Sequence, residues 1–118
     1  MFACAQFLAD NEDMDKIAML SEILNANPAD SFARYGLAME HLSQGNTDAA
    51  LAEFEATTQN NADYVPAYQM SGQTLAKLHR TGEAKARLLA GLGAAERTRN
   101  QHAASEMQAL LDELEMGY

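Results

Sequence analysis

The chain has 118 residues, two prolines, one cysteine, no tryptophan and a formal net charge of −9. That length admits one compact domain or a short repeat array, and an apolar fraction of 47% is too high for wholesale disorder. Alanine supplies 23 residues and leucine 14, against three for valine and isoleucine together, a balance that favours helices over sheet.

In chain order, Met1–Ala9 is apolar, but no Lys or Arg precedes it and it is short for a secretory signal. It reads as part of an N-terminal extension over residues 1–13, with at most a short helix at 2–9. Cys4 has no second cysteine to pair with, so the cytoplasm is the expected compartment, with export as the alternative. No apolar run approaches the roughly 20 residues of a membrane span. Ile17, Leu20, Ile23 and Leu24 recur at helical spacing and stop at Asn25-Ala26-Asn27-Pro28, which predicts a helix over 14–26. Phe32, Tyr35, Gly36, Met39 and Leu42 share one helix face, entered after Pro28 with Asp30 as cap, and predict a helix over 30–43. A glycine turn at Gln44-Gly45-Asn46 follows, then a helix over 47–60 capped by Thr47. Thirty-six residues after the first face, Tyr68, Ser71, Gly72, Leu75 and Leu78 repeat its offsets in a helix over 65–79, with Pro66 in its first turn. A second turn at Thr81-Gly82 leads to a helix over 82–98, where Ala84, Leu88 and Gly91 match Ala50, Phe54 and Thr57. Ala103, Met107, Leu110, Leu111 and Leu114 predict a last helix over 101–115, its acids Glu106, Asp112, Glu113 and Glu115 towards water. The pattern is helix–turn–helix, twice, with a helix on either side.

These residues resemble the tetratricopeptide repeat family, and are similar to small bacterial proteins of that kind. Gly36 and Gly72 stand where the family keeps a small residue so that helices A and B approach. Phe32 and Tyr68 replace its usual tryptophan, and Ala50, Ala84, Phe54 and Leu88 match its helix B positions. Asn27-Pro28 resembles the close of a preceding repeat, so residues 14–28 look like a surviving helix B. The resemblance implies an all-α fold, a right-handed α-solenoid of antiparallel helix pairs over residues 14–118 with a C-terminal capping helix. It implies further that partners bind a concave groove lined by helix A: Arg34, Leu37, Glu40 and His41 in the first repeat, Gln69, Met70, Gln73 and Lys77 in the second. Arg34, Glu40, Gln69, Gln73 and Lys77 are expected to line one continuous concave surface. Leu37 and Gln73 replace the asparagines, and Ala33 and Gln69 the lysine, of the family's carboxylate clamp, which weighs against a receptor for chaperone tails.

Chemistry is sparse. His41, His79 and His102 have no metal-ligand pair at helical spacing, Cys4 has no neighbouring His, and Gly91-Leu92-Gly93 lies inside a helical pattern, where glycines let a neighbouring helix close in. No enzyme, metal or cofactor is therefore expected. Charge is more telling. Residues 1–64 hold eleven acids and two bases, a net −9, whereas Lys77, Arg80, Lys85, Arg87, Arg97 and Arg99 face only Glu83 and Glu96, a net +4 over 77–99. The leading expectation is a protein-interaction scaffold that self-associates head to tail, with Phe2, Phe7 and Leu8 supplying apolar contact and the basic stretch receiving the acidic half. The alternatives are a monomeric adaptor binding a peptide in the groove, and nucleic-acid or polyanion binding by the basic stretch with Tyr68 or His79 stacking on a base.

Overall fold

The structure is a computed structural model and describes residues 16–117. Among the described residues six helices follow one another: α1 (16–26), α2 (Ser31–Ser43), α3 (Thr47–Asn60), α4 (Val65–Lys77), α5 (Thr81–Arg97) and α6 (Gln101–Glu115). The described residues contain no strand, and no helix among them is long and apolar enough to cross a membrane. Residues 1–13, and with them Phe2, Phe7 and Leu8, lie outside the described residues.

The helix ends follow local chemistry. Asp30 caps α2, its carboxylate accepting the Ala33 N–H at 3.0 Å, and Asn100 caps α6 in the same way through Ala103 at 3.1 Å. Pro66 lies in the first turn of α4 as expected. Thr47, by contrast, is the first helical residue of α3 and not its cap, because the Ala50 N–H donates to the Asn46 carbonyl.

Three helices stop on the same device. At the end of α2 the Asn46 N–H reaches back to His41 O and the Gly45 N–H to Leu42 O, with Gly45 at φ 81°. The α4 end repeats it with Arg80 N–H to Leu75 O and His79 N–H to Ala76 O, and the α5 end with Asn100 N–H to Ala95 O and Arg99 N–H to Glu96 O. There the left-handed position is held by His79 (φ 59°) and Arg99 (φ 58°) rather than by glycine. This corrects two expectations: α4 ends at Lys77 instead of 79, and Gly82 belongs to the first turn of α5 while His79 makes the turn.

The chain divides within α3 into two compact units, Met1–Glu53 and Phe54–Tyr118. In the first, Leu24 of α1 packs with Ala33 and Leu37 of α2, and Ile17 and Leu20 cover that cluster. In the second, α4, α5 and α6 pack mutually around Phe54, Leu88 and Met107, all fully buried. Two glycines permit this packing. A Cβ on Gly72 of α4 would stand 2.6 Å from Leu88 Cδ2, and one on Gly91 of α5 would stand 2.6 Å from Met107 Sδ and 2.7 Å from Tyr68 Cβ. Gly36 is different: a methyl there would meet Leu20 Cδ2 at 3.6 Å, an ordinary contact. The expectation that both repeats require a glycine at the crossing holds for Gly72 and fails for Gly36.

The two aromatic positions also part. Tyr68 is buried (7% exposed) and donates its hydroxyl to Ala62 O at 2.9 Å, whereas Phe32 is 77% exposed. In the second repeat Gly91 leaves the space beside Tyr68. Phe32 is not the core residue that its spacing predicts.

Candidate interaction surfaces

Within the first unit, Arg34 of α2 is held from both sides. It donates to Glu53 of α3 at 3.0 Å and to the Pro28 carbonyl at 3.1 Å. The pair is half-buried and borders a hollow of about 360 Å³ shared with Ser21, Leu24 and Asn25 of α1. Glu40 lies 4.0 Å from the Lys16 ammonium. His41, in the last turn of α2, has its Nδ1 buried without a hydrogen-bond partner. Leu37 is 6% exposed and packs in the cluster with Leu24, so it belongs to the core of this unit and shows only an edge to the hollow.

Within the second unit, Gln73 and Lys77 of α4 are brought together. With Ala76 they face Leu110, Glu113 and Leu114 of α6 across a hollow of about 230 Å³. Its floor is apolar and its rim carries one cation and one anion. Gln69 pairs with Glu106 of α6 at 2.5 Å, and Met70 is half-buried. Leu110, Glu113 and Leu114 were absent from the groove expected from the sequence. A signal for Glu113 existed: it lies 36 residues after Lys77, one repeat period on.

The basic stretch is largely spent on internal partners. Arg80 pairs with Glu83 one turn on, and its guanidinium holds the Glu83 carboxyl below the usual carboxylate value, chiefly through that hydrogen bond. Arg97 donates to Asp63 at 2.7 Å and to Ala62 O at 3.1 Å. Arg87 departs furthest from expectation. Its side chain is 17% exposed, lies over the Tyr68 ring at 4.7 Å, and reaches Glu55 and Thr58 of α3 at 3.1 Å each and Ser71 of α4 at 3.0 Å. It is a brace between helices and not a free acceptor for another molecule. Among the described residues Lys77, Lys85 and Arg99 have no ion-pair partner, so six bases at helical spacing leave three open cations. Tyr68, buried beneath Arg87, is closed to a base; His79 is exposed. His102 does have an acid at helical spacing: its Nε2 pairs with Glu106 at i+4, at an exposed site. No group of three His, Cys, Asp or Glu side chains among the described residues is arranged to hold a metal ion.

The α6 acids Glu106, Asp112, Glu113 and Glu115 all face water, as expected for a terminal helix. No family model matches the chain, and no curated protein does. Solved structures do. A tetratricopeptide repeat domain protein from Salinibacter ruber, in solution, is 35% identical over 78% of this chain and 93% of its own, with a TM-score of 0.72; its crystal structure gives 35% identity over 75% and 99%, with a TM-score of 0.70. The chain belongs to the tetratricopeptide repeat family. The all-α fold class of paired helices is shared more widely. The TPR2B domain of yeast Sti1, solved with an Hsp70 peptide, superposes with a TM-score of 0.80 over 97% of this chain and 91% of its own at 14% identity. The Yersinia enterocolitica type III secretion translocator chaperone SycD gives 0.79 over 98% and 79% at 13% identity. At those identities the likeness is one of fold. In tetratricopeptide terms α2–α3 and α4–α5 are the two full repeats, and α6 occupies the place of a further helix A.

Proposed function

We propose that this tetratricopeptide chain is a non-enzymatic protein-interaction module that joins copies of itself head to tail. The observation that carries the reading is apolar exposure on both units. Met19 (56% exposed) and Ile23 stand out from α1, and Leu89 (58% exposed) from α5. Charge segregation along the sequence supports it, since an acidic half and a basic stretch favour unlike surfaces meeting. The cytoplasm remains the expected setting, and residues 1–13 an extension whose Phe2, Phe7 and Leu8 add apolar contact. Light scattering after size exclusion tests the reading. The apparent mass should rise with concentration and change little with salt, because exposed ion pairs contribute only about 0–1 kcal/mol each while apolar burial supplies most of the affinity. A mass that stays monomeric at every concentration in low salt contradicts it.

A second reading has its own observation. The hollow between α4 and α6, with Leu110 and Leu114 beneath Lys77 and Glu113, fits the side chains of a peptide, and the Sti1 domain of like fold is known with one. Lys77→Glu should then weaken peptide binding and leave helicity intact. Polyanion binding is the less favoured reading, because Arg80, Arg87 and Arg97 already have acidic partners.

A further inference from the structure

Resting on the self-assembly reading, we infer that the two surfaces which meet are the outer face of α1 in one copy and the trough between α5 and α6 in the next. The trough, about 460 Å³, is lined by Leu92 of α5 and by Ala104, Ser105, Gln108, Ala109 and Asp112 of α6. Repeat register says what belongs there. Tyr68 and Gly72 are the α4 positions that touch α5, through Gly91 and Leu88. Thirty-six residues on, Ala104 and Gln108 hold the same places on α6 and line the trough. The trough is thus the seat of a helix B for which α6 is the helix A.

A second copy offers such a helix, because α1 occupies the helix B place ahead of α2. Lys16, Met19, Ile23 and Ala26 form its exposed stripe. Laid antiparallel to α6, the sense of consecutive helices joined by short turns, the stripe finds partners in register. Lys16 falls opposite Asp112, Met19 opposite Gln108 and Ala109, Ile23 opposite Ala104 and Ser105, and Ala26 opposite Gln101. The spans agree: seven residues from Lys16 to Ile23 rise about 10.5 Å, and eight from Ala104 to Asp112 about 12 Å. The charges agree as well. Among the described residues Lys16, 57% exposed, meets an acid only at 4.0 Å, at Glu40, and the exposed Asp112 accepts one side-chain hydrogen bond, from Gln108 at 2.9 Å. Each junction completes one repeat from two chains, and because the contact is heterologous it propagates.

The test is the association constant by sedimentation, with helicity checked for every variant. Lys16→Glu and Asp112→Lys should each weaken association by about two- to fivefold, and the double variant should restore it. Met19→Glu, at the apolar centre, should weaken it by about tenfold or more. Wild-type chain that associates while Met19→Glu and both charge reversals leave its constant unchanged overturns this interface and leaves self-assembly standing. Single reversals that weaken association without rescue in the double variant overturn the register. Wild-type chain that never associates overturns the reading beneath the inference.

Discussion

Gly72 and Gly36 occupy the same register, yet a methyl group should have opposite effects at the two. At Gly72 it would enter the fully buried side chain of Leu88, which has no room to retreat, so Gly72→Ala should destabilise by about 1–3 kcal/mol. At Gly36 it would make an ordinary contact with Leu20 inside a helix, so Gly36→Ala should stabilise by about 0.5–1 kcal/mol through helix propensity. Denaturant melts of the two variants check both signs at once. His79 offers a third residue-scale test. Its φ of 59° costs an L-residue about 1 kcal/mol that glycine avoids, so His79→Gly should raise the melting midpoint even though it removes a side chain. At Glu83 the depressed pKa stabilises the pair above the unfolded value, and that contribution is lost as pH falls through the folded one. Arg80→Ala should return the carboxyl to its ordinary titration, as followed by NMR.

At the scale of helices, Arg87 ties α5 to α3 and α4 through three side chains and the Tyr68 ring. Removing it takes the donor from the buried Ser71 and Thr58 hydroxyls, which keep only their own bonds to the Tyr68 and Glu55 carbonyls, and uncovers the ring, so Arg87→Ala should cost about 2–3 kcal/mol, and Arg87→Lys should recover little because one ammonium cannot reach all these partners. Urea midpoints of the two variants separate these outcomes. Glu55→Ala, removing the half-exposed partner, should cost under about 1 kcal/mol. The helices themselves were legible in the sequence: apolar residues at 3.6 spacing mark each, and Asp30, Pro66 and the α6 stripe hold as read. Their ends were less so, because a hydrogen-bonded stop with His79 or Arg99 in the left-handed position carries no glycine to announce it. Phe32 misled because spacing assigns a face but does not say how fully a side chain at that position is covered. Arg87 misled because local charge counts ignore Glu55, which is far away in sequence and adjacent in space. In the hollow between α4 and α6, the helix A side was visible in the repeat register, while Leu110 and Leu114 read only as core.

For the whole molecule, the alternation of helices matters more than any single contact. Among the described residues the first helix is of the B kind and the last of the A kind, the two halves from which the proposed junction would build one repeat. In the proposed junction, apolar side chains on α1 and in the α5–α6 trough would supply the affinity, and Lys16 with Asp112 would set direction. An assembly of this sort has a signature that no two-fold dimer shares. One variant spoiled only on α1, Met19→Glu, and another spoiled only in the trough, Ala104→Glu, should each be monomeric near 12.8 kDa alone. Mixed, each still offers the surface that the other lacks. Light scattering of the equimolar mixture is the measurement that decides: a one-to-one dimer that grows no further is the expected result, and a mixture that stays monomeric, while unmodified chains assemble, would contradict head-to-tail joining.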